Sequence, residues 1–136
     1  MEAAVTIHME VDVNPTEDEE KVKKAIINLL DNPVFTVEPA FIGFKLRADA
    51  NGQNSLIKFR SLLRNDRIRD AARKMLYRAT YDNKISFYLN KQVAFAGHIS
   101  FSEESAESPL GPIHVVIETG APKQLVEWLA EKSEKK

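Results

Sequence analysis

The chain has 136 residues, 43% of them hydrophobic and 29% charged, with a formal net charge of −1 and no cysteine. That length supports one hydrophobic core, so a single domain over residues 1–136 is expected, and the absence of cysteine excludes a disulfide framework and a thiolate metal site. No apolar run reaches the roughly 20 residues of a membrane span, and the opening residues, with Glu2 and no basic stretch, do not read as a secretory signal; a cytoplasmic protein with no membrane contact is expected.

The small net charge hides a partition. Residues 1–40 hold nine acids and three bases, residues 41–100 twelve bases and four acids, and residues 101–136 seven acids and four bases. Such asymmetry points to an anionic partner met by the middle third; the competing reading is that acidic and basic elements pair with each other inside the fold.

Residues 3–13 alternate, with Val5, Ile7, Met9, Val11 and Val13 on one side and Thr6, His8, Glu10 and Asp12 on the other. This period of two with β-branched residues predicts a strand with one buried face. Thr16 with Glu19 reads as a capping box opening a helix whose apolar stripe is Val22, Ala25, Ile26, Leu29 and Leu30, ended by residues 31–33. Short strands follow at 34–38 and 41–48, with a turn at 49–52.

Residues 54–78 carry two apolar stripes out of phase with one another. Leu56, Phe59, Leu62 and Leu63 form the first; Ile68, Ala72, Met75 and Leu76 form the second. They predict two helices, or one sharply kinked, meeting near Asn65, with Asp66 as a candidate cap. In the second helix Arg67, Lys74 and Arg78 share one polar edge and Arg69 and Arg73 the other. A strand at 85–89, a tight turn at Asn90-Lys91 and a returning strand at 92–102 read as a hairpin. The small residues Ala94 and Ala96 sit on one face of that returning strand, and Gly97 suggests a bulge. An acidic loop over 103–112, a strand at 113–119 and a helix opened by Pro122 complete the chain. The order β-α-β-β-α-α-β-β-β-α predicts an α+β fold, a mixed sheet of about six strands with helices on one face.

Catalytic signatures are missing. The five glycines form no phosphate loop, no nucleophile stands beside a base, and His8, His98 and His114 each sit alone on predicted strands. No cofactor, metal or catalytic residue is expected. What stands out is the run from Lys58 to Arg78, with eight bases against Asp66 and Asp70. A purely solubilising face mixes signs more evenly. The reading that follows is non-catalytic RNA binding: Arg64, Arg67, Arg69, Arg73, Lys74 and Arg78 neutralise phosphates, Lys91 and Gln92 add contacts at the hairpin tip, and Tyr77, Tyr81 and Tyr88 are available to stack. The RNA-recognition-motif aromatic pattern and the GXXG loop of a KH domain are both absent. One alternative is a protein-interaction module or homodimer built on the Ala94 and Ala96 face or on strand edges. Another is a metal-dependent nuclease using His8, Glu10 and Asp12.

The segments LNKQVAFAG (89–97), PLGPI (109–113), NPTEDEEKV (14–22), NSLIKFRSLLR (54–64) and IRDAARKML (68–76) resemble the archaeal uncharacterised protein family 0201. The resemblance covers nearly the whole chain; the alanine pair usual after the glutamine is here Val93-Ala94. It implies an RL-five-like α+β fold, named after a large-subunit ribosomal protein, and an expected link to RNA binding and to exosome-associated proteins. It brings no catalytic residue.

Overall fold

A computed structural model describes residues 4–102 and 111–132; Ala3, most of the predicted acidic loop (103–110) and the last four residues lie outside them. The first strand, β1 (Val5–Val13), buries every second side chain, as its alternation requires. Strands β2 (Val34–Pro39), β3 (Phe44–Asn51), β4 (Thr80–Tyr81), β5 (Lys84–Asn90), β6 (Phe101–Ser102) and β7 (Pro112–Thr119) join it in one sheet. The spatial order is β2-β3-β1-β7-β5-β4, with β6 also paired to β5.

Every pairing is antiparallel, which corrects the expected mixed sheet. β1 and β2 run in the same direction, but β3 inserts between them, so the β1-helix-β2 crossover never becomes a parallel ladder. The β2–β3 turn spans 40–43, so residues 41–43, expected to open the second strand, lie in the turn, and residues 49–51 continue β3 instead of turning. Gly43 fixes this turn. Its φ is 70°, and a Cβ there would lie 2.2 Å from the Val13 carbonyl oxygen, so no other residue fits without displacing β1.

The helices are α1 (Glu19–Ile27), α2 (Ile57–Asn65), α3 (Arg69–Arg78), α4 (Lys91–Phe95) and α5 (Pro122–Leu129), with a 3-10 turn (Gln53–Leu56) leading into α2. Their apolar faces meet the inward residues of the sheet. Ile7, Met9, Leu46, Ile85 and Phe87 from strands pack with Ile26, Phe59, Leu63, Leu76 and Val126 from helices in a single buried cluster. The predicted α1 stripe is buried throughout, but Asp18, not Thr16, caps the helix by accepting from the Glu20 amide. Glu17 is drawn away from the first turn, for a reason that emerges with Lys91.

The predicted hairpin after β5 does not form. Asn90 accepts from the Val93 amide and caps the short helix α4, and among the described residues only Phe101 and Ser102 return as a strand. Ala94 is buried, and α4 packs on α1, where the Asn28 amide donates to the carbonyls of Ala94 and Phe95 at 2.9 and 3.2 Å. The small residues read as an assembly face are therefore partly consumed inside the molecule. Among the described residues no helix is long and apolar enough to cross a membrane.

Candidate nucleic-acid interface

The corner between α2 and α3 is a tight helix stop. Asp66 is the last residue of helical geometry, and Arg67 follows in the left-handed region with φ 58°. The Arg67 amide donates to the Arg64 carbonyl at 3.1 Å and the Ile68 amide to the Leu63 carbonyl at 3.2 Å. Those two bonds define a Schellman stop, whose left-handed position usually holds glycine. Here it holds an arginine, at a backbone cost of roughly 1–2 kcal/mol.

Asp66 anchors the corner instead of opening α3. Its carboxylate accepts from the Ile99 amide at 3.0 Å and pairs with His98 Nδ1 at 2.9 Å. Burial pushes this carboxyl up, but the bonds from His98 and the Ile99 amide and the charge on His98 together hold it below the usual aspartate range. The second acid of the basic run, Asp70, is engaged by Arg73 at 2.8 Å.

With both acids occupied, Arg64, Arg67 and Arg69 converge, lining with Asp70 a cavity of about 370 Å³. Lys74 and Arg78 are exposed further along α3, one turn apart on the same face. Among the described residues none of these five cations forms an ion pair or side-chain hydrogen bond. Glu131 also lies within the electrostatic reach of Arg64 and Arg69. Its carboxyl is held low first by its bond to Arg60 and then by the charges of Arg64 and Arg69.

Other bases of the run are turned inward. Arg73 is largely covered, donating to the Ala130 carbonyl at 3.0 Å as well as to Asp70, so it closes the end of α5. Arg60 bonds the Trp128 carbonyl and Glu131 and lies over the Trp128 ring, and Lys58 reaches the Ile27 carbonyl and Asp31. Tyr77 donates to Glu127, leaving Tyr81 as the most exposed tyrosine.

Lys91 does not stand at a hairpin tip. It is only 4% exposed, and its Nζ donates to the Asp12 carbonyl at 2.8 Å and to both Glu17 oxygens at 2.9 and 3.0 Å. Burial raises the Glu17 carboxyl, and bonds from Asn14 and Lys91 overcome that to hold it below its ordinary value. This pair explains why Glu17 leaves the helix, and it removes Lys91 from any surface. Gln92 is exposed beside it, on α4 and away from the arginine corner in sequence.

The face of the sheet opposite the helices carries its own lattice of charges. Glu10 pairs with Lys45 and Arg47, each at 3.2 Å, Arg47 also pairs with Glu38 at 2.6 Å, and His8 lies between Asp49 and Glu118 at 2.6 and 3.3 Å. His8 and Glu10, read as possible nuclease ligands, are thus turned to different partners, and among the described residues no group of three or more His, Asp or Glu is arranged to hold a metal. Nearby, Tyr88 stacks on His114 with ring centres 4.4 Å apart, beside a cavity of about 230 Å³ lined in part by Glu10, Asp12 and Lys45. Sequence alternation placed these residues on one face but gave no sign of that stack.

Comparison with known proteins adds three findings. A family model described as RNA binding matches residues 6–119. The chain is 46% identical to a UPF0201 protein of Sulfurisphaera tokodaii over 129 residues, 95% of this chain and 89% of that one, and 43% identical to a UPF0201 protein of Sulfolobus acidocaldarius over 127 residues, 93% and 88%. The crystal structure of a UPF0201 protein from Methanococcus jannaschii superposes with a TM-score of 0.83 at 30% identity, covering 95% of each chain.

Proposed function

The chain belongs with the UPF0201 proteins and to the family whose model is described as RNA binding, and from that premise we propose that it binds RNA without catalysing a reaction, through the α2–α3 corner and the exposed edge of α3. One observation carries the reading: Arg64, Arg67 and Arg69 face a common cavity with no pairing partner among the described residues, while neighbouring bases are spent on internal bonds. Guanidinium groups bond phosphate oxygens in a fork and remain charged at every working pH, so an open cluster of them is suited to a phosphate chain. Lys74 and Arg78 extend the positive surface by about 6 Å of helix rise. Lys91 and Arg73 are left out of the interface by their internal bonds, and Gln92 is at most peripheral.

The test is a salt titration of binding to a single-stranded oligoribonucleotide. With about four or five phosphates engaged, log affinity falls against log salt with a slope of about −3 to −3.5, and replacing Arg67 or Arg78 by Ala flattens it by about 0.7 each. A response independent of salt, or one indifferent to both substitutions, overturns the reading.

A second reading, a homodimer formed through the outer edge of the sheet, is favoured by one observation. β2 is an end strand, and around it Val34, Val37, Phe41 and Ile42 are exposed, Phe41 completely. Sedimentation without RNA decides it: a monomer at every concentration overturns this reading, and a dimer dispersed by Phe41→Ser sustains it.

A further inference from the structure

We infer that the α2–α3 corner recognises a terminal phosphate monoester of RNA, at a chain end, in preference to the internal diester backbone. This rests on the RNA-binding reading and names what the corner selects. The first support is shape. Arg64, Arg67 and Arg69 do not form a track; they line one cavity of about 370 Å³. That volume lies at the lower end of small-ligand pockets, which suits one nucleotide-sized group and not a continuous strand.

The second support is the backbone of Arg67. A left-handed residue closing a Schellman stop is cheapest as glycine, yet this chain places its central guanidinium there. Retained strain at the mouth of a charged cavity marks a side chain needed for something other than folding. Asp66, tied to His98 and the Ile99 amide, holds the corner in place so that the strained residue is aimed rather than loose.

The third support is the match of charge. A monoester carries about 1.5 to 2 negative charges near neutral pH and offers three acceptor oxygens, whereas an internal diester carries one charge. Three arginine forks around one cavity, whose fourth lining residue Asp70 is held by Arg73, answer the former better. Beyond the cavity, the positive surface thins to Lys74 and Arg78, since Arg73, which precedes them in sequence, is bonded to Ala130 and Asp70.

The experiment compares one RNA sequence in four forms: 5′-phosphorylated, 3′-phosphorylated, hydroxyl at both ends, and circular. Binding is measured for the unmodified chain, for Arg67→Gly, and for the pair Lys74→Ala and Arg78→Ala. A phosphorylated form is expected to bind at least about tenfold tighter than the hydroxyl-ended and circular forms, the scale of one added charge-assisted fork. Which of the two phosphorylated forms gains tells which end is read. Arg67→Gly should remove the preference while leaving the fold intact by thermal melting, and the Lys74 and Arg78 pair should weaken all four forms alike. Equal binding of all four forms by the unmodified chain overturns the inference and leaves the RNA-binding reading standing. Preference that persists in Arg67→Gly also overturns it. Failure to bind any form removes both.

Discussion

Lys91 holds its ammonium 2.8 Å from the Asp12 carbonyl and between the two oxygens of Glu17, with almost no solvent around it. Removing one member of such a pair leaves the other charge buried and uncompensated, which costs about 3–5 kcal/mol. Lys91→Met should therefore lower unfolding free energy by about 3 kcal/mol in denaturant titration, with the Glu17→Gln and Lys91→Met double variant recovering part of it. The pH dependence has a definite sign. Glu17 has a depressed carboxyl, so its contribution is complete above the ordinary glutamate value of about 4.3 and is lost as pH falls through the lower folded value. The loss of stability on acidification below about pH 4 should be smaller in Glu17→Gln. Neither member of the pair was legible in the sequence. Both look like surface charges, and only the packing of α4 on α1 brings residues 17 and 91 together.

At the level of elements, periodicity worked where a segment was long and failed where it was short. β1 and the two helices around Asn65 read directly from spacing, because each repeats its pattern over at least two turns or four alternations. Residues 92–102 alternate equally well, yet α4 forms because the Asn90 side chain caps it and Asn28 reaches its final carbonyls from a distant helix. Such a five-residue helix, marked locally only by its Asn90 cap, leans on contacts from Asn28 that no local pattern encodes. The α2 stop was placed correctly near Asn65, but its left-handed residue is Arg67, two positions on. Here the magnitudes allow a prediction. Relief of about 1–2 kcal/mol of left-handed strain outweighs the roughly 0.5–1 kcal/mol entropic cost of glycine, so Arg67→Gly should raise unfolding free energy by about 0.5–1 kcal/mol. An Arg67→Gly variant that melts earlier would show that the arginine side chain, not the backbone, dominates at this corner.

Across the whole molecule, the uneven charge along the chain is resolved in two ways. Much of it cancels internally: Lys58 with Asp31, Arg60 with Glu131, Lys91 with Glu17, and Lys45 and Arg47 with Glu10 and Glu38. The remainder stands at the α2–α3 corner and on the outer edge of α3. The sequence therefore revealed the excess but not its destination, since which bases are spent depends on side chains meeting across the fold. The same accounting separates the two surfaces. The bare face of the sheet mixes Glu10, Glu38, Asp49 and Glu118 with its bases, so it offers phosphates little net attraction. In the salt titration, Arg47→Gln should leave the RNA slope within about 0.3 of the unmodified chain, whereas Arg78→Ala shifts it by about 0.7.

The crowding at Gly43 reaches beyond its own turn. Because the Val13 oxygen occupies the space a methyl group would need, alanine there acts as a wedge between the hairpin and the end of β1. Val13 follows Asp12, whose carbonyl receives the buried ammonium of Lys91. A single carbon at position 43 would thus be felt as a misaligned acceptor inside the molecule, at the buried ammonium of Lys91.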